Sequence, residues 1–430
     1  YTITNSGSYY VVSNLHSTTD GIVIETNGVT VDLMGFSLTG DGTSGDYGIH
    51  VAGAPNAMIE RVVIKNGTVS GFYNGMRCDY MNNSRIEQMV ASGNTDQGVY
   101  LYGRFGGQCN GNTIADCTIS DNGSIGILLN GNQEGQCNGN TITDSTISGN
   151  EDEGFDLKGS YSGQCDGNTI SECTISGNGS WGLDLDGSQS GQCNGNTIAN
   201  CSINGNNNYG VYLRGNSGQC DGNTIANCSI SDNTSYGVYL SGDSGQCDGN
   251  TIANCSISHN SYGVYLDGYS GQCDGNTIAN CTISGNNSYG VYLRGHSGQC
   301  DGNTIADCTI SGNNSYGVYL YGSSSGQCDG NRVHGNQISK NVNRGIYLSY
   351  AAGNRVEANN VWGTTGVTSY GIRTVNTTDN FILKNTCVGQ TNNFDLSVSD
   401  TYGPEVTNSG ALPTSGAAAH PWANFSRGEP

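Results

Sequence analysis

Proline is nearly missing from this chain. There are five in 430 residues (Pro55, Pro404, Pro413, Pro421 and Pro430), and none falls between residues 106 and 330. A residue without a backbone N–H is excluded from central β ladders, so that long stretch is free to pair without interruption. Cationic side chains are scarce as well. Fifteen Lys and Arg stand against 36 Asp and Glu, a formal net charge of -21, and this excludes nucleic acid, which needs clustered Lys and Arg. No apolar run approaches the roughly 18 residues of a membrane span. Histidine occurs only six times, scattered, and without His partners or short paired Cys spacings zinc is excluded too. The chain opens at Tyr1 with no charged-then-apolar leader, as expected where a targeting segment has been removed.

What is abundant is glycine (68), cysteine (18) and repetition. Gly-Gln-Cys-[Asn/Asp]-Gly-Asn is written nine times between residues 106 and 330, each copy opening a unit of 26 to 28 residues. A period of this length marks one supersecondary unit stacked on the next. Within residues 218–244 the apolar positions fall in three short clusters, Thr224-Ile225-Ala226, Ser229-Ile230-Ser231 and Gly237-Val238-Tyr239-Leu240, separated by Gly, Asn and Ser. None has helical periodicity, and the last alternates as a strand does, Val238 and Leu240 on one face and Tyr239 on the other. Three strands and three turns per unit predict an all-β fold, one coil of a parallel β-helix per repeat. The same signal recurs outside the close repeats, at Gly21, Gly48, Gly75, Gly98, Gly345 and Gly371. The expectation is a right-handed parallel β-helix of about 14–15 coils, a rod on the order of 70 Å long at ordinary strand spacing. Residues 1–20 are expected as an N-terminal cap, 21–400 as the helix, and 401–430 as a C-terminal cap or tail folding back over the last coil, since repeat arrays need their ends covered.

The Asn-Thr-Ile…Ile-Ser…Gly-Val-Tyr-Leu grammar resembles the right-handed parallel β-helix proteins of the pectate-lyase-like superfamily. Residues 3–10, Val29 to Phe36 and Pro421 to Phe425 resemble secreted bacterial members of that group. The resemblance implies the fold over nearly the whole chain. It does not imply one activity, because the architecture hosts lyases, hydrolases, epimerases, adhesins and phage spikes. The family's usual active-site patterns are missing: there is no paired Asp-Asp with Gly-His-Gly, no Arg-x-Lys finger and no Asp-Pro-His-Glu.

In a β-helix, equivalent positions of successive coils stack into columns. One column is amide, running from Asn112 to Asn331, with a second from Gln108 to Gln327; stacked amides hydrogen-bond along such ladders. Two columns are cysteine, Cys109 to Cys328 and Cys117 to Cys308 with Ser145 interrupting the second. Stacked neighbours sit near the Cα separation of a disulfide, which favours bridges over buried free thiols, with connectivity left open. A carboxylate column, Asp221, Asp248, Asp274, Asp301 and Asp329, preceded by Asp166, repels itself by ~1 kcal/mol per neighbouring pair even in water. Ca²⁺ would relieve that; a solvated acidic edge that resists aggregation is the alternative. No other cofactor is implied. The sequons at Asn178, Asn233 and Asn286 are candidate glycan acceptors.

An aromatic column holds Tyr212, Tyr239, Tyr265, Tyr292, Tyr319 and Tyr347, with a second line of Trp181, Tyr209, Tyr236, Tyr262, Tyr289 and Tyr316 three residues earlier. Outward strips of this size mark contact surfaces, here for a polysaccharide, a cell-surface glycan or copies of the chain; ladder stabilisation by cross-strand pairs is the structural reading. The column breaks at Asp156 and Asp184, with Lys158, Asp186 and Arg214 stacked two residues on and Glu151, Asp152 and Glu153 just before. Two carboxylates about one coil apart suit a retaining glycosidase, or a metal-assisted lyase; alternating Lys158, Asp186 and Arg214 equally suit a surface salt-bridge ladder. The function expected is a secreted, extracellular or cell-surface β-helical adhesive or matrix protein, glycan-binding or self-assembling through the tyrosine strip. The alternative is a polysaccharide lyase or glycoside hydrolase using Asp156, Asp184 and Lys158. A minor alternative is ice binding, through outward columns such as Thr118/Ser120 and Thr282/Ser284.

Overall fold

The computed structural model describes residues 1–364, 369–407, 416 and 420–427. Among these there is no α-helix. Short parallel strands wind into a β-solenoid of about 14 turns with three strands per coil. The chain forms two compact units, Tyr1–Thr224 and Ile225–Pro430.

In the first unit one sheet stacks Ile22–Ile24, Tyr47–Ala52, Asn74–Asp79, Val99–Tyr102, Ile127–Asn130, Phe155–Lys158, Leu183–Asp186 and Val211–Arg214 in parallel register. Alternation fixes which side chains face in: Val211 and Leu213 are fully buried, while Tyr212 and Arg214 point outward. The other two faces are three-residue strands such as Thr141–Thr143 and Thr146–Ser148, each placing one isoleucine inside. Thr2–Ile3, Gly7–Tyr10 and Leu15–His16 pair with the following coil, so residues 1–20 carry strands of their own.

In the second unit the corresponding sheet stacks Tyr236–Ser241, Tyr262–Asp267, Val291–Gly295, Tyr316–Gly322, Arg344–Ser349, Tyr370–Val375 and Asn392–Asp395. Asn424–Arg427 pairs with both Thr386–Val388 and Glu405–Thr407. The remainder of the expected C-terminal tail, 408–415, 417–419 and 428–430, lies outside the described residues, as do Pro413 and Pro430.

Each coil turns a corner inside the stack, and a corner leaves backbone amides that no strand satisfies. The asparagine columns supply the missing acceptors. Asn276 donates its backbone N–H to Oδ1 of Asn303 at 2.7 Å and its side-chain amide to the same oxygen at 3.1 Å; Asn303 repeats both contacts onto Asn331 at 2.7 and 3.1 Å. In the first unit Asn112, Asn140, Asn168, Asn196 and Asn223 form the equivalent ladder. A second ladder at another corner joins Asn94, Asn122, Asn150, Asn178 and Asn206 in the first unit, and Asn233, Asn260, Asn286, Asn313 and Asn341 in the second. Asn178, Asn233 and Asn286 are therefore buried rungs, and the expectation of glycans there is corrected: a glycan on any of them would remove a ladder amide from the core. In the first ladder the residue before a rung such as Asn303 is a glycine with a left-handed backbone, Gly302 at φ 63°, whereas in the second ladder Asp121, Asp232, His259 and Lys340 adopt the same conformation before their rungs. Gly298 is needed for proximity, because a Cβ there would overlap the backbone oxygens of Gly268 and Gly271.

The cysteines also point inward. All 18 are buried, and no disulfide joins them among the described residues, which corrects the expectation of bridges. They pack as small apolar groups, and their S–H groups donate weakly to carbonyls, as Cys137 does to Cys109 at 3.4 Å. Burial pushes the thiols of Cys78 and Cys387 well above the ordinary range, so these sulfurs stay neutral and unreactive.

Replacing Asn303 by Ala would strand the amides of Asn276 in the core. At about 1–3 kcal/mol per unsatisfied buried group, chemical denaturation should show a loss of roughly 3 kcal/mol. Exposed Ser324→Ala, in the same unit, should change stability by less than about 0.5 kcal/mol.

Candidate functional site

The outward face of the first unit departs from the repeat where Asp156 and Asp184 replace aromatic residues, and these two are register partners in adjacent strands. Both are buried, at 1% and 0% exposure. Asp156 is held by a cation two residues along its own strand, Asp184 by one on the next strand of the sheet. Lys158 Nζ lies 2.5 Å from Asp156 Oδ2, and an Arg214 Nη2 donates to Asp184 Oδ2 at 2.6 Å while lying 3.2 Å from Asp186 Oδ2. The Arg214 guanidinium sits over the Trp181 and Tyr212 rings, 5.2 and 5.7 Å from their centroids. Burial pushes Asp156 and Asp184 upward against the pull of Lys158 and Arg214. Lys158 is itself held upward: burial opposes its charge, and Asp156 outweighs it.

Four polar atoms of this cluster, Oδ1 of Asp156, Oδ1 of Asp184, Nε of Arg214 and Nε1 of Trp181, are buried without a hydrogen-bond partner among the described residues. Structural packing seldom leaves such groups together. Beside them, Glu153 is half-buried one column position before Trp181. Burial, and then the charge of Asp156, raises its carboxyl to about 7. Sequence reasoning passed over Glu153 as one of three adjacent acids; its place in the column occupied by Ile125, Trp181 and Tyr209 was the available signal.

A second polar cluster on the same sheet was also missed. His50 Nε2 is 3.0 Å from Asp79 Oδ2 and its Nδ1 is 3.6 Å from Asp20 Oδ2. Arg77 donates to Asp79 at 2.8 Å and lies 4.6 to 5.1 Å from the ring centroids of Tyr47, Tyr100 and Tyr102. His50, Arg77 and Tyr100 share the outward column of Asp156, so reading that column beyond the close repeats would have found them.

The tyrosine strip forms as expected, with a geometry the sequence did not specify. In the second unit Tyr239, Tyr265, Tyr292, Tyr319 and Tyr347 stack face to face, with centroids 4.8 to 5.0 Å apart and planes within 15°. The line of Tyr236, Tyr262, Tyr289 and Tyr316 packs against them. In the first unit Trp181 stacks on Tyr209, and Tyr212 meets both edge-on. Rings stacked at strand spacing spend their faces on one another and present edges outward.

The aspartate column has a structural task. Oδ1 of Asp248, Asp274 and Asp301 each accepts the backbone N–H of the next aspartate at 2.6 to 2.7 Å, and Asp329 accepts that of Ala352 at 2.7 Å. In the first unit Asn194 does the same for Asp221, at 2.7 Å. Among the described residues no three His, Cys, Asp or Glu side chains gather as a cation would require; the calcium expectation for Asp221, Asp248, Asp274, Asp301 and Asp329 gains no ligand set.

Residues 2–163 and 137–300 match the family model described as right handed beta helix region. Together these cover more than half of the chain, which belongs to that family. Residues 245–408 match a second model, described as periplasmic copper-binding protein (NosD). The residues present do not fit a copper ion there, since the cysteines lie inside the coils and no ligand cluster occurs among the described residues. No curated protein matches the chain. Among solved structures it is similar to the A-module of the mannuronan C-5 epimerase AlgE4 of Azotobacter vinelandii, at 16% identity over 86% of this chain and 87% of that one, with a TM-score of 0.51. The AlgE6 A-module of the same organism matches at 16% identity over 99% and 91%, with a TM-score of 0.43. The first likeness shows a shared fold.

Burial, opposed by the hydrogen bond from Asp329, raises Asp301 to about 6. A raised folded-state value means the native state binds the proton more tightly, so this contribution to stability is present below about pH 4 and lost as pH rises through 6. Asp301→Asn keeps the acceptor oxygen and removes the charge. Thermal unfolding should show the variant more stable at pH 7 by on the order of 1 kcal/mol, after allowing for solvent screening of a half-exposed group, with no gain at pH 4.

Proposed function

We propose that this protein is an extracellular or periplasmic glycan-binding β-helix, acting as a surface, adhesive or matrix component. The observation that carries the reading is the strip of stacked tyrosines in the second unit, which offers the half-buried ring edges of Tyr239, Tyr292, Tyr319 and Tyr347 along successive coils, while Tyr265 is buried among them with its hydroxyl donating to Asp267 Oδ2. Contiguous aromatic strips of this kind serve as contact surfaces. The paired charges support binding over turnover: Asp156 and Asp184 are buried and engaged by Lys158 and Arg214. They are unlike the two exposed carboxylates, one free to attack and one to protonate, that a retaining glycosidase requires. The description of the NosD model as periplasmic supports the compartment.

One observation favours a second reading, a polysaccharide lyase or glycoside hydrolase. A half-buried carboxyl poised near 7 is what a general acid needs at neutral pH, and Glu153 has it beside Asp156 and Lys158. In that reading Glu153 exchanges the proton, while Asp156, Asp184 and Lys158 set its field.

Affinity electrophoresis of the intact protein through gels containing acidic or neutral polysaccharides tests both. The binding reading expects retardation by at least one polysaccharide, reduced severalfold in a Tyr292→Ala, Tyr319→Ala variant, with no change in chain length. Depolymerisation that disappears in Glu153→Gln or Asp156→Asn would replace it with the enzymatic reading.

A further inference from the structure

At one corner of the second unit the repeat shortens abruptly. Leu320 and Leu348 are register partners, and Asn331 donates to Asn354 in the next coil. Between Leu320 and Gln327 the chain has the six residues 321–326, whereas between Leu348 and the corresponding Tyr350 it has only Ser349. The Gly-Ser corner of one coil therefore overhangs the tight corner of the next. A groove of about 770 Å³ opens beside this step, lined by Gln327, Ser323, Ser325, Tyr350, Asn376 and Thr378 among others.

The step falls where the glutamine ladder ends. Gln272 donates to Gln299 at 3.1 Å and Gln299 to Gln327 at 3.0 Å. The next rung is Tyr350, and the one after it is Asn376, since Ala352 and Thr378 are bridge partners two residues further on. A column of amides is thus interrupted by one aromatic ring, with an exposed amide on either side. Tyr350 is 49% exposed and adopts a left-handed backbone, φ 51°, a conformation uncommon for an aromatic residue. It meets Tyr321 edge-on at 6.3 Å, which fixes one side of the ring and leaves the other to the groove.

We infer that this groove is a binding site for a neutral oligosaccharide, with one pyranose stacked on Tyr350 and its hydroxyls taking the place of the missing ladder rung between Gln327 and Asn376. Three features select that ligand class. The volume is that of a small-ligand site. The lining is hydroxyl and amide, groups that both donate and accept, around a single aromatic platform. Among the described residues no Lys, Arg or His lines the groove and the only charged group is Asp329, whose Oδ1 accepts the Ala352 amide at 2.7 Å; none of these groups would balance the carboxylate of an acidic sugar. The ligand class rests on the glycan-binding reading above, but the residues are separate from the tyrosine strip.

Isothermal titration of the intact protein with neutral gluco-, galacto-, manno- and xylo-oligosaccharides, and with oligogalacturonate and oligoalginate, tests the inference. Wild type should bind at least one neutral oligosaccharide in preference to both acidic ones. Tyr350→Ala and Gln327→Ala should each weaken that binding by roughly tenfold or more, while Tyr350→Phe retains most of it and the thermal transition is unchanged in all three. Binding undiminished in Tyr350→Ala and Gln327→Ala but lost in Tyr292→Ala, Tyr319→Ala would overturn this site and leave the strip reading standing. Preference for the acidic oligosaccharides would also overturn it. Binding of none would overturn both.

Discussion

The amide ladder is the constraint on which the coils depend. A solenoid of three-residue strands has little strand and much corner, and each corner carries backbone groups into an interior without water. Stacked asparagines resolve this with one residue type: Oδ1 of each rung accepts both the backbone and the side-chain N–H of the rung before it, as Asn303 does for Asn276. With the corners satisfied, isoleucine and cysteine fill the space between faces, and left-handed residues, glycine in the first ladder, lead the chain into each rung, as Gly302 does for Asn303. The aspartate column works in the same way at a more exposed position. That explains why aspartate and asparagine interchange along it, as at Asn194 and Asp221, and why its charge is a cost at neutral pH.

Distinct side-chain environments arise only at departures from this uniformity. Coils that repeat without change can only repeat the same surface, which suits a strip of tyrosine edges and no chemistry. Where Asp156 and Asp184 break the aromatic column, with Lys158 and Arg214 engaging them, charges become buried and some of their polar atoms lack a hydrogen-bond partner among the described residues. Where the corner shortens at Ser349, a groove opens beside Tyr350. These are different kinds of site, one a change of side chain at fixed register and the other a change of backbone length.

The coil, the approximate places of its strands, and the first asparagine and the glutamine ladders could be read from the repeat, because period fixes register and register fixes neighbours; the second asparagine ladder, with rungs such as Asn260 and Asn313, was not read. What could not be read was three-dimensional saturation. Asp156 and Asp184 were visible as a pair, but not that both carboxylates are buried on the outer face beneath Lys158 and Arg214. The cysteine columns were visible, but spacing along a column does not distinguish packed thiols from bridges. The sequons at Asn178, Asn233 and Asn286 matched a pattern whose meaning burial reverses. Glu153 was named only as one of three adjacent acids, and His50 and Tyr350 were not singled out, because each is a single residue whose importance lies in which column it interrupts.

Amide hydrogen exchange read by mass spectrometry tests the ladder's central role most directly. The account predicts that the backbone amides of Asn276, Asn303 and Asn331 belong to the slowest class in the second unit, exchanging only when the unit unfolds as a whole. Exchange at those amides as fast as at the exposed corner residues Ser324 and Ser325 would contradict it.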